Sequence, residues 1–365
     1  MEFRISLANP VLDEEMIQAA EDSLRNEWFL VGESIKKFEE EFARFVGTKY
    51  AISVNSGTDA LFFSLLACNV EKKEVITTPM SFIATANTIL YSKGKCIFAD
   101  IESDTHNIDP MEIEKKINKD TKCILPVHLY GYPAKMKEIL DLAKDHNLSI
   151  IEDACQAHGT EINGKMVGSF GDAAAFSFFP AKNMTVGGDG GMITTDNEDL
   201  AILARKLKNG GRVSKYEHDV LGYTSRMSSV HAAIGRVQLK KLPEWNEKRT
   251  KLAEIYYKEL SNLGKIILPK KGENKIKPSY YMFVIKTRNR DELSEWLNKN
   301  EIETGIHYPI PIHLQPIYKR MFNFSDGMYK NAEEHAKTCL SLPMYPDLKE
   351  DDVKFVCEKI QEFFK

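Results

Sequence analysis

From residue 49 to about residue 195 short apolar runs alternate with longer amphipathic stretches, and this alternation constrains the fold of the chain more than any other feature. The runs KYAISV (49–54), EVITT (74–78), KCIFA (95–99), TKCILPV (121–127), LSIIED (148–153), AAAFSF (173–178) and GMITT (191–195) have the length of strands. Several are apolar at consecutive positions, as strands covered on both faces must be. Between them TDALFFSLLA, IATANTILYS, PMEIEKKIN and AKMKEILDLAKDH read as helices, the last stopping at His146-Asn147. Strands alternating with helices predict an α/β fold with a doubly wound, mostly parallel sheet.

A helical region follows from about Met227 to Lys258, with a break or kink expected near Pro243. Beyond it a smaller α/β unit is predicted. YYMFVIKT (280–287) reads as a strand, RDELSEWLNKN as a helix and EIETGIHY as another strand. Tyr329–Leu340 and Glu350–Phe364 read as helices. At 365 residues the chain exceeds one small core, so the division expected is a large unit over 1–245 and a small one over 246–365.

A net charge of −4 gives no overall attraction to nucleic acid or to an anionic membrane. No apolar stretch approaches a membrane span, and MEFRISLANPVLDEEM lacks the apolar core of a leader. The six cysteines are scattered, without a C-x-x-C pair, and most sit in apolar runs; free thiols in the cytoplasm are expected, with no metal site.

Three features fall at the carboxyl ends of strands, where open α/β sheets place their ligands. Asn55-Ser56-Gly57-Thr58 follows the first strand and opens a helix. Such a turn offers amides and hydroxyls to a phosphate, although alone it reads first as a helix cap. Asp153 ends IIED, where a buried carboxylate needs a cation or several donors. A protonated pyridine nitrogen would serve, and a simple capping role would serve equally. Lys182 follows FSFFPA and precedes GGDGG, an apolar, glycine-rich setting that would desolvate its amine and lower its pKa, as condensation with a carbonyl requires. Lysine, aspartate and phosphate turn together are the parts that hold pyridoxal phosphate.

At these residues the chain resembles the sugar aminotransferases of the DegT/DnrJ/EryC1 type. The resemblance runs through FLVGESIKKFEEEFA (29–43), NSGTDAL (55–61), TTPMSFIATANTIL (77–90), IEDACQAHG (151–159), GSFGDAAAFSFFPAKNMTVGGDGG (168–191), GYTSRMSSVHAAIGRVQL (222–239) and GIHYPIPIHLQPIY (305–318). It implies the aspartate-aminotransferase fold (fold type I), with a seven-stranded sheet and a smaller C-terminal α/β domain. It implies that Lys182 bonds the cofactor aldehyde, that Asp153 pairs with the ring nitrogen and that Gln156 reaches the phenolic oxygen. Phe82 would stack on the ring, and Gly57, Thr58 and Ser177 would bind the phosphate, Asp59 contributing only backbone. In GYTSRM, Thr224 replaces the asparagine that the family commonly sends across a homodimer interface to the partner's cofactor phosphate, so that contact is in doubt. Arg226 is expected to serve packing or the interface. His307, Tyr308 and His313 lie in the segment similar to the one near the sugar, and His158 is a further candidate.

The resemblance implies two half-reactions, with pyridoxamine phosphate formed between them. L-glutamate gives its amino group, and a nucleotide-linked keto sugar receives it, at C3 if QAHG and HYPIPIHLQP guide the choice, at C4 otherwise. A histidine in place of Lys182 would have indicated a sugar dehydratase, and a G-x-G-x-x-G after the first strand a nicotinamide enzyme; neither is present. A silent regulator keeping the fold is the rival from another class.

Overall fold

The structure, a computed structural model, describes residues 3–365. Its strands come in chain order as β1 (Tyr50–Val54), β2 (Glu74–Thr77), β3 (Lys95–Phe98), β4 (Thr121–Leu125), β5 (Ser149–Asp153), the short hairpin β6 (Glu161–Ile162) and β7 (Lys165–Met166), β8 (Ala173–Ser177) and β9 (Gly191–Thr195). All but the hairpin join one seven-stranded sheet in the order β1-β9-β8-β5-β4-β2-β3. The pairs from β8 across to β3 are parallel, and β9 runs antiparallel to both its neighbours. Hence β1, β5 and β8 point the same way, and their carboxyl ends open on one edge.

The continuous apolar runs are explained by cover on both faces. Ala173 and Ala175 of β8 join a core with Phe63 and Ile193, whereas Ala174 and Phe176 join another with Phe38 and Phe42. Helices occupy Gly57–Ala67, Ala84–Tyr91 and Met136–His146, the last closed by Asn147 in the left-handed region (φ 53°). Pro110–Glu114 is shorter than its sequence promised.

Three sequence expectations need correction. The helix Ser229–Leu260 passes unbroken through Pro243. A mid-helix proline costs about 3 kcal/mol. Leu239, Leu242, Trp245, Leu252 and Tyr256 are buried along this helix, and each such side chain contributes about 1.5–3 kcal/mol. EIETGIHY forms no strand. Glu301 turns at φ 61°, and only the single bridges Ile5–Ile302 and Gly305–Ser341 remain. The partner of β11 (Phe283–Lys286) is instead β12 (Cys339–Leu342), whose residues follow the helix Lys330–Thr338 and are all buried. With Tyr256, Val356 and Ile5 these strands build the C-terminal core, while β10 (Ile276–Lys277) extends the β6–β7 hairpin. No helix among the described residues is long and apolar enough to cross a membrane.

Candidate active site

Because β1, β5 and β8 end on one edge, three separated segments meet there. After β1, Ser56 caps the helix Gly57–Ala67, its hydroxyl accepting from the Asp59 amide at 3.1 Å. The amides of Gly57 and Thr58 have no acceptor among the described residues. A Cβ at Gly57 would stand 2.7 Å from Ser177 Cβ and 2.9 Å from Cys155 Sγ, so only glycine lets the helix start press against β8. The Asp59 carboxylate accepts from Ser225 Oγ at 2.5 Å, which leaves its backbone to the turn.

Asp153, at the tip of β5, is 4% exposed. Its carboxylate accepts from Thr85 Oγ1 at 2.8 Å and from the Cys155 amide at 3.2 Å. One residue back, Glu152 is fully buried, accepting from the amides of Gly168, Phe170 and Gly171 at 2.7–2.9 Å and lying 3.0 Å from His128 Nε2. The Ala134 amide donates to His128 Nδ1, so Nε2 carries the proton toward Glu152. Burial pushes this carboxyl up, but His128 and the amides outweigh burial and hold it below the ordinary glutamate value. The tip of β5 is thereby anchored from behind.

Lys182 lies past the end of β8, and its amine stands 4.4 Å from the centre of the Tyr281 ring. Gln156 accepts from the Tyr130 amide at 2.9 Å and donates to Tyr308 Oη at 3.3 Å. Asp153, Gln156, Lys182, Tyr281 and Tyr308 line one cavity of about 490 Å³ together with Gly57, Thr58, Phe82, Ser177 and His307. Phe82, 55% exposed, stands at the wall with its ring 6.2 Å from that of Tyr308. His307 is held down to about 4 by burial and by the nearby charge of Lys182, so its imidazole is neutral at pH 7.

The structure therefore brings together Lys182, Asp153, Gly57, Thr58, Phe82, Gln156, Ser177, His307 and Tyr308. Thr224 stays outside, on an exposed loop bridged to Asn209. His313 does not line the cavity either: it is fully buried, with Nε2 3.2 Å from Glu333 Oε1 and its ring against Tyr329. His158 is buried beside Phe176 and Phe178, behind the wall. Arg226 hydrogen-bonds Asn209 and does not line the cavity. Sequence reasoning missed Thr85, Tyr130 and Tyr281. Thr85 had a signal, since Ser81 lies four residues before it and the pair is 2.8 Å apart. Tyr281 had none, because only the tertiary fold carries it to Lys182.

The donor set fits pyridoxal phosphate. Two free amides at a helix start, with the hydroxyls of Thr58 and Ser177, suit a phosphate dianion, and a Cβ at Gly57 would push the helix start away from Ser177. The buried Asp153 carboxylate suits a protonated ring nitrogen, and Lys182 suits an aldehyde.

Comparison with known proteins agrees with this geometry. Residues 10–361 match the model of the DegT/DnrJ/EryC1/StrS aminotransferase family. The chain is similar to a pleiotropic regulatory protein of Geobacillus stearothermophilus, 40% identical over 97% of this chain and 95% of that one. It is also similar to dTDP-3-amino-3,4,6-trideoxy-α-D-glucose transaminase of Streptomyces venezuelae, 37% identical over 92% of this chain and 88% of that one. Among solved structures, S. venezuelae DesV in complex with a ketimine intermediate superposes with a TM-score of 0.93 at 36% identity, covering 96% of this chain and 94% of that one. Sequence, fold and cavity agree: the chain belongs to the DegT/DnrJ/EryC1/StrS family and is a pyridoxal-phosphate-dependent aminotransferase.

Proposed function

We propose that the chain moves an amino group from L-glutamate to the C3 keto group of a nucleotide-linked sugar, with Lys182 as the proton carrier. The observation that carries this reading is the convergence of Lys182, Asp153 and the Gly57-Thr58 amides on one cavity. Its likeness to a transaminase named for a 3-amino sugar supports the C3 position.

When bound, pyridoxal phosphate supplies an electron sink conjugated to the carbon that bears the amino group. The amides of Gly57 and Thr58 and the Ser177 hydroxyl bind the phosphate. Asp153 would keep a proton on the ring nitrogen, and Gln156 Nε2 would orient the ring through its phenolic oxygen. Phe82, at the cavity wall, would cover one face of the ring. Lys182 Nζ takes the proton from the donor's Cα and delivers it within the cavity, and in the second half the transfer runs in reverse onto the former keto carbon. His307, neutral at pH 7, and Tyr308 face the sugar.

In the same reading, residues 1–245 bind the cofactor, and residues 246–365 close the substrate side through Tyr281, His307 and Tyr308. The assembly is a homodimer, in which the exposed Thr224 faces the partner's cofactor phosphate. The exposed Trp28, Phe29 and Val31 suit such an interface. The address is the cytoplasm, in keeping with six free thiols.

The test is to offer L-glutamate with 3-keto and 4-keto dTDP-, UDP- and GDP-sugars and to identify the product by NMR. An amine at C3 supports the proposal, and an amine at C4 moves the position within the family. The similarity to a protein named as a pleiotropic regulator favours a second reading, a binding protein without turnover. Failure to release 2-oxoglutarate with any acceptor would favour it.

A further inference from the structure

We propose that Tyr281 is a positioning residue for Lys182: the face of its ring holds the amine whenever the lysine is not bonded to the cofactor. This rests on the reading of Lys182 as proton carrier. Lys182 Nζ stands 4.4 Å from the ring centre, and it has no hydrogen bond or ion pair with another side chain among the described residues. Tyr281 is 7% exposed and lines the cavity.

The ring cannot drift, because its segment is tied on several sides. Asn183, next to Lys182, donates to Ser279 O at 2.9 Å. Arg249, buried in the long helix, donates to Tyr280 O at 3.3 Å and to Met344 O at 2.9 Å. Gly131 (φ 85°) packs so close that a Cβ there would stand 3.0 Å from the Tyr281 amide nitrogen. Lysine loop and aromatic platform are thus fastened to each other, and the distance between amine and ring is set by the fold.

A ring face attracts an ammonium through its quadrupole and gives a neutral amine little. In the donor half-reaction the Cα–H bond breaks, an N–H bond forms on Lys182 Nζ, and the electron pair stays with the donor carbon and the conjugated ring. Tyr281 therefore favours the side of this transfer on which Nζ carries the extra proton. It also keeps a flexible four-carbon chain at the cavity wall until the proton is delivered.

Two measurements test the assignment on the full-length protein. The first is ¹³C NMR of reductively dimethylated protein in its pyridoxamine-phosphate form, with the Lys182 resonance assigned by its loss in Lys182→Arg. Ring current should displace that resonance upfield in the wild type and in Tyr281→Phe, and Tyr281→Leu should abolish the displacement. The second is a single-turnover reaction of the pyridoxal form with L-glutamate. Tyr281→Leu should slow the step at saturating glutamate by about three- to thirtyfold, with a smaller change in half-saturation, and Tyr281→Phe should recover most of the loss. An undisplaced Lys182 resonance in the wild type would overturn the proposal whether or not the Tyr281 variants fold. So would a Tyr281→Leu enzyme with the wild-type rate. If the wild type ignores glutamate, the donor assignment fails instead, and the NMR result alone decides the role of Tyr281.

Discussion

The Thr85 hydroxyl donates to Oδ2 of Asp153 at 2.8 Å, and Ser81 Oγ stands 2.8 Å from the same hydroxyl on its other side. Since the Thr85 proton is committed to a carboxylate, Ser81 must donate to Thr85, and the three residues form a relay ending on Asp153. Thr85 belongs to the first turn of the helix Ala84–Tyr91 and Ser81 to the loop that leads into it, so one strand crossover fixes an acid carried by another strand.

Thr85→Val keeps the shape and removes the donor. A hydrogen bond to a charged group contributes about 1.5–3 kcal/mol, so cofactor affinity should fall by about ten- to a hundredfold. Equilibrium dialysis against pyridoxal phosphate measures it, and unchanged affinity would remove Thr85 from the account.

Gly57→Ala probes the phosphate cradle. The added methyl would stand 2.7 Å from Ser177 Cβ, so the helix start must retreat from β8. Affinity for pyridoxal phosphate should drop at least tenfold, about 1.4 kcal/mol, while affinity for pyridoxal, which lacks the phosphate, changes much less. Equal losses for both ligands would show that the turn does not bind phosphate.

Glu152→Ala leaves His128 and three amides without their acceptor. Breaking such a buried set costs about 3–5 kcal/mol, and chemical denaturation should show a loss of that size. A loss below about 1 kcal/mol would mean that water replaces the carboxylate.

The seven strands of the sheet were legible because burial on both faces demands continuous apolar runs, and those runs have few other uses. Asp153, Lys182 and Gly57 were legible for a related reason: each is polar or conformationally special at the end of such a run. What escaped was tertiary. The helix expected over Tyr329–Leu340 takes in Cys339 and Leu340, the first half of β12, since nothing local separates them from the helical KNAEEHAKT before them; pairing with β11 decides the matter. Pro243 announced a break that packing along the long helix overrides. His313 sits in a segment rich in proline and histidine, yet its ring is turned into the core toward Glu333.

Acid should weaken the fold in a defined window. Burial holds His158 down to about 3 from 6.5, aided by the Lys182 charge, and burial with the Lys286 charge does the same to His106. Between these values the unfolded chain binds protons that the folded chain refuses, so stability is complete above pH 6.5 and declines as pH falls toward 3. Each such histidine steepens the decline by up to about 1.4 kcal/mol per pH unit. Glu152, held below its ordinary value of 4.5, keeps its full contribution above that pH and loses it as pH falls further. Neither ring nitrogen of His158 makes a hydrogen bond of ordinary length among the described residues, so His158→Leu should flatten the fall in Tm between pH 7 and 5. An unchanged slope would contradict this assignment.

The most direct measurement of the central claim is to reduce the cofactor-loaded protein with borohydride and map the labelled peptide by mass spectrometry. The account predicts a phosphopyridoxyl group on Lys182 alone and no such label in Lys182→Ala, whose fold persists. A label on any other lysine, or none, would contradict it.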